Sequence, residues 1–551
     1  MREGLRVLAG AVAGALFWSS ASLGDDAALC SGNGGTADER IAACSRLIES
    51  GSVTGAGLAQ ALQNRGLDHA ARRDHERAIS DYSRAITLDP NSATPLVYRG
   101  NSYLATKAYH RAISDFSEAL QRDPKSAAAY SNRGTAHRLR GDTGQAISDY
   151  SEAIRLDPKN ARLYYYRGDL HYRAKTYDQA LSDLTEAVTL DPKFVVAYNI
   201  RGNLHLVKGE MDDAIADYDA VIRLDPKNNA ALMNRGNAHF RREDYDRAIS
   251  DYSDAIRNDP NYAAAFLNRG ISYRASGDIE RAITDYSEAI RLKPDYQAAY
   301  SNRGNAYLAK GDTERAIADY DAVIRLDPKQ TAALISRGNA YRDRKDYARA
   351  ISDYGEAIRI NPKDAVMYSN RGILYQITGD IERAIADYGE AIRLDPDLVT
   401  AYGNRGNAYL AQGDTGRAIG DYDAVIRLDP DNTAALINRG NAHRDRDDHS
   451  RAILDYSEAI RRDPNNAIAH NNRGNVYRAQ GDMERAIVDY DEAIRLDPDY
   501  AIAYSNRGSI HYQNRNFDRA LSDFEAALRI DPQLASAVQG RDVAKAALER
   551  R

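Results

Sequence analysis

The chain has 551 residues, 28% of them charged, with 74 basic against 80 acidic side chains and a formal charge of -6. Mean hydropathy is -0.61, and the two signs are intermixed, so no extended positive field exists to draw in phosphate backbones or anionic lipid. Nucleic acid is therefore excluded as an expected partner, and length alone would suggest several globular domains of about 150 residues.

Residues 1–24 read as a secretory signal peptide. Arg2 and Arg6 precede the apolar stretch Val7 to Trp18, small residues follow, and Asp25 and Asp26 open the next segment. The apolar stretch is shorter than the roughly 20 residues a bilayer core requires. An exported protein, periplasmic or secreted and of bacterial type, is expected, with no integral membrane segment once the leader is cleaved. An uncleaved anchor is the alternative. Leu29 beside Cys30 argues against lipidation at that cysteine, and Trp18 is the single Trp of the chain.

Export carries the chain into an oxidising compartment, where Cys30 and Cys44 are its two thiols. The expectation is a Cys30–Cys44 disulfide, worth about 3 kcal/mol for a loop of this size in the chain-entropy model. Two buried free thiols are the alternative. Residues 25–58, with the helical stretch RIAACSRLIES, read as a degenerate N-terminal cap.

From residue 59 the prolines fall at one constant interval, from Pro90, Pro124 and Pro158 through Pro328 to Pro532, and fourteen unbroken units run from 59 to 534. A period of about 34 residues marks a helical repeat array. In the unit beginning at residue 297, Tyr300, Gly304 and Tyr307 share one helical face, and Ala316, Tyr320 and Val323 share another. Gly311 suits the backbone just past a helix end, Asp312 can cap the next helix, and Pro328 turns the chain.

This pattern resembles the tetratricopeptide repeat. Gly stands at position 8 and Ala at position 20 of every unit, and position 24 is aromatic throughout except at Leu184. The resemblance implies an all-α fold, a right-handed superhelical solenoid of 14 antiparallel helix pairs whose small residues let helices approach closely. One departure is systematic. Position 7, usually Leu in the family, is Arg here (Arg65, Arg303, Arg405, Arg507), while position 23 is always Asp (Asp81, Asp319, Asp421, Asp523). Recurring opposite charges on the two helices predict inter-helix ion pairs. Arginines on a ligand surface are the alternative.

The histidines mostly dissolve into this register. His69, His137, His171, His205, His239, His443 and His511 occupy position 11, where the other units carry Tyr, so they read as packing residues and no metal site is expected. The metal-like string HRDRDDH (443–449) is explained in the same way. Neither phosphate loop nor nucleophile elbow nor a singular acid–base pair stands outside the repeats, so an enzyme is not expected and no cofactor is implied. DYDAVIRLDP recurs every three units, with Val221, Val323 and Val425 replacing the usual Ala at position 27.

The candidate functional residues are amides. Position 6 is Asn at Asn64, Asn132, Asn234, Asn268, Asn302, Asn370, Asn404, Asn438, Asn472 and Asn506. Position 9 is Asn at Asn101, Asn203, Asn237, Asn305, Asn339, Asn407, Asn441 and Asn475. The two positions neighbour each other on one helical face. The position-6 column is similar to the asparagine ladder in the tetratricopeptide domain of the O-linked N-acetylglucosamine transferase, whose catalytic domain has no counterpart here. That resemblance implies a concave groove whose amides bind the backbone of an extended protein or peptide partner, since an Asn both donates and accepts. Local bonding between neighbouring helices is the alternative for these residues. For the whole chain the alternative is a structural spacer or self-associating rod. Residues 535–551 read as a C-terminal capping helix.

Overall fold

The computed structural model describes residues 20–550; residues 1–19, and with them most of the expected leader, lie outside the described residues. The described residues form 31 α-helices and no strand, none long and apolar enough to cross a membrane. The fold divides into two compact units, one ending at Ser276 and one beginning at Gly277.

In the first unit, Ser20–Cys30 and Ala37–Glu49 form a hairpin tied by the Cys30–Cys44 disulfide. Thr36 and Glu39 close a reciprocal capping box at the start of the second helix. Both cysteines are buried, packed with Leu47 and Ala61 of the first repeat. From Gly55 onward first and second helices alternate to Ala275. The second unit continues the same alternation from Ile279 and closes with Ala535–Glu549, where Gly540 lies against the Phe524 ring.

One pair shows why these residues fold so. Gln297–Ala309 ends at Gly311, which takes φ 78°, a left-handed conformation that costs glycine little. Asp312 then accepts the Arg315 amide at 3.1 Å, capping Thr313–Leu326. Ala316, Tyr320 and Val323 are buried. The Tyr320 ring lies so close to Gly304 that a Cβ there would stand 2.9 Å from Cε1, which explains the glycine at position 8.

Charges tie each pair together. Arg303 donates from Nε and Nη2 to the two carboxylate oxygens of Asp319, at 2.9 and 2.7 Å. The same forked pair recurs at Arg65–Asp81, Arg133–Asp149, Arg405–Asp421 and Arg507–Asp523. The third nitrogen reaches the preceding repeat. Arg303 Nη1 donates to Ser287 Oγ at 2.9 Å, and Arg337 Nη1 to Asp321 at 2.5 Å. The position-7 arginines therefore serve the fold, fastening a helix to its partner and to the repeat before it.

Candidate functional site

The repeat geometry sets position 6 of one first helix beside position 9 of the first helix before it, and the asparagines there bond to each other. Asn132 Nδ2 donates to Asn101 Oδ1 at 2.9 Å, Asn234 to Asn203 at 3.0 Å, and Asn268 to Asn237 at 3.2 Å. Asn438 pairs likewise with Asn407 and Asn472 with Asn441, each at 3.3 Å. Asn506 donates to Asn471 instead, and Asn302 to the Ala298 carbonyl of its own helix. Asn64 accepts from Gln60.

Position 9 is anchored from beneath as well. The buried position-24 tyrosines donate to its carbonyl oxygen: Tyr218 to Asn203, Tyr252 to Asn237, Tyr320 to Asn305, Tyr354 to Asn339, Tyr422 to Asn407, Tyr456 to Asn441 and Tyr490 to Asn475. Burial pushes the Tyr422 phenol well above its ordinary value, so it stays a donor. Position 9 is thus a structural amide that satisfies a buried phenol.

Two position-6 amides stand apart. The side chains of Asn370 and Asn404 make no hydrogen bond to another described residue, and both line one cavity of about 410 Å³ in the second unit. Its walls come from three successive first helices, Ala365–Ile377, Val399–Ala411 and Thr433–Arg444. Tyr422 and Val425 on the helix Thr415–Leu428 supply the floor. Three local departures open the hollow. Gly403 presents no side chain, and a Cβ there would just touch Val425. Ile373 replaces the usual position-9 amide, so Asn404 has an isoleucine where Asn438 has Asn407. Val366 adds half-exposed apolar surface. The result is an apolar hollow with free amides in its wall and no charged side chain in its lining, a combination suited to an uncharged backbone carrying an apolar side chain.

Asn370, Asn404, Asn407 and Asn438 of this wall belong to the sequence-predicted columns, whereas Ile373, Gly403, Tyr422 and Val425 do not. The exceptions to the repeat carried that signal: Gly403 and Ile373 break their columns, and Val425 is one of the three position-27 valines. In the first unit a second cavity, of about 490 Å³, is lined by Asn132, Thr135, Asn160, Arg162 and Tyr166 among others.

Family models cover most of the repeat region. Those described as tetratricopeptide repeat match residues 64–127, 201–263, 267–331, 301–365, 399–432, 501–534 and 161–194, and one described as TPR repeat matches 134–175, 377–413, 440–481 and 474–515. The chain belongs to the tetratricopeptide repeat family. Tetratricopeptide repeats are scaffolds for protein–protein interaction, built to present extended surfaces. No curated protein matches the chain in sequence. Solved structures similar to it include YrrB, described as a TPR protein with an unusual peptide-binding site, at 24% identity over 34% of this chain and 97% of that one, TM-score 0.30. MamA is 26% identical over 30% of this chain and 96% of its own, TM-score 0.29. Yeast Tom70 is 17% identical over 78% and 96%, TM-score 0.33.

Proposed function

We propose that this tetratricopeptide repeat chain is an exported, non-enzymatic scaffold that holds an extended polypeptide along its first helices and so assembles or chaperones other envelope or exported proteins. The observation that carries the reading is the pairing of free amides with an apolar hollow. Asn370 and Asn404 lack internal partners, and both line the cavity floored by Tyr422 and Val425. An Asn amide matches a peptide unit whatever its side chain, and the hollow accepts one apolar side chain between the amides. The leader-like N-terminus and the Cys30–Cys44 disulfide support the exported location.

The test is selection of peptides from a random library on the mature chain, followed by binding to the Asn370→Ala, Asn404→Ala double variant. Peptides with an apolar residue in an extended stretch should be enriched and should bind the variant at least tenfold more weakly, with the thermal midpoint unchanged. Equal binding by the variant would end this reading.

A self-associating rod is the second reading, favoured by Leu454 and Val488. These lie 69% and 66% exposed at position 22 of consecutive second helices, where the other units carry Ser, Ala, Thr or Gly. A molar mass in solution that falls to the monomer in the Leu454→Ser, Val488→Ser variant would support it.

A further inference from the structure

The unit spanning 195–228 departs from every other unit at one charged position. Position 19, on the first turn of the second helix, is Arg in eleven units and Gln in two, but Asp213 here. In nine other units that arginine supplies a cation to an Asp at position 16. Arg315 contacts Asp312 at 2.5 Å, and Arg247 contacts Asp244 at 3.5 Å. In this unit position 16 is Glu210, the single Glu of its column, and it makes no cap hydrogen bond to the helix it precedes. Its carboxylate turns instead to His205, with Oε2 at 2.7 Å from Nδ1.

The three side chains converge. Ligand atoms of His205, Glu210 and Asp213 all lie within 4.8 Å of one another. A ring nitrogen and a carboxylate oxygen in such close contact need a proton or a cation between them, and the second carboxylate raises the demand for positive charge. The His205 ring is buried, and its Nε2 lies 3.9 Å from Asp217, whose carboxylate is held by the Arg201 fork, so Nδ1 is the ring nitrogen turned to the cluster. Lys208 lies 3.4 Å from the other Glu210 oxygen and 3.4 Å from Asp178, leaving Oε2 as the ligand atom.

We propose that His205 Nδ1, Glu210 and Asp213 form a binding site for a divalent transition-metal cation of the Zn2+ class, with water completing the shell. One imidazole and two carboxylates suit a borderline ion rather than Ca2+ or Mg2+, which take oxygen donors. The site would clip the end of one helix to the start of the next, where nine other units use an aspartate and an arginine. It stands independently of the peptide groove.

The experiment is calorimetric titration of the metal-stripped full chain with ZnCl2, for the wild type and for Asp213→Arg and His205→Tyr. Both substitutions install the residue that other units carry at that position, so the fold is retained. The wild type should bind one Zn2+ that each variant binds at least tenfold more weakly, and Zn2+ should raise the thermal midpoint of the wild type alone. Superimposable isotherms for wild type and Asp213→Arg, or a wild type with no saturable binding, would overturn the site.

Discussion

Tyr422 donates to Asn407 Oδ1 across 2.7 Å, and the same oxygen accepts from Asn438 Nδ2 at 3.3 Å. One amide therefore satisfies a buried phenol and joins two repeats. Asn407→Ala should strand that phenol and cost about 1–3 kcal/mol, whereas Asn404→Ala, which breaks no internal bond, should leave the urea midpoint in place. Chemical denaturation of the two variants separates the structural amide from the one available to a ligand.

The Arg303–Asp319 fork leaves the carboxylate buried and the guanidinium largely covered. Asp319→Ala removes both acceptors and should destabilise the protein by about 3 kcal/mol, in line with breaking other buried pairs. Ser287→Ala leaves the fork intact, removes the third contact and the hydroxyl's bond to the Ile283 carbonyl, and should cost about 1 kcal/mol. Thermal denaturation of each variant gives the comparison.

Two glycines in helices should respond oppositely to alanine. At Gly304 the new methyl would meet the Tyr320 ring at 2.9 Å, and overpacking of this kind costs about 1–3 kcal/mol. At Gly420, on the exposed side of Thr415–Leu428, nothing lies within 4 Å, so Gly420→Ala should stabilise by about 1 kcal/mol through helix propensity. A rise in melting temperature for Gly304→Ala would contradict the close-approach account.

Burial lowers the proton affinity of His171, His239, His443 and His511 below the ordinary imidazole value. A folded value below the unfolded one means that, under about pH 6.5, the unfolded chain takes up protons the folded chain resists. Their contribution is intact above that pH and is lost progressively as pH falls below about 6.5. The urea midpoint should fall across that window, and less steeply in His239→Tyr and His443→Tyr.

Reduction of Cys30–Cys44 should loosen residues 20–49 by about 3 kcal/mol while the later repeats keep their protection, read by amide hydrogen exchange. If the leader is cleaved, Trp18 leaves with it, and the mature protein should emit only tyrosine fluorescence.

Much of the fold was legible because fourteen copies state each local rule again. The glycine and aspartate at the turn, the glycine beneath the position-24 ring and the Arg–Asp pair each recur at one offset within a unit, so a column of identical residues reports one geometry. The asparagine columns were legible as a surface but not as two roles. Asn407 at position 9 meets Tyr422 on the second helix of its own unit, and Asn438 at position 6 meets Asn407 in the unit before it. Only packed helices bring such distant side chains together.

Period, helix pairs and turn chemistry can be read from local spacing, which also led to the expected disulfide and charge fork; packing then chose these over free thiols and over arginines on a ligand surface. Tertiary structure alone decided which amides are free. Asn404 lacks a partner because Ile373 stands in the preceding first helix, and the hollow beside it opens only where Gly403, Ile373 and Val425 meet. That meeting joins residues from two repeats and both faces of a helix pair, and it exists only once neighbouring repeats are packed against each other.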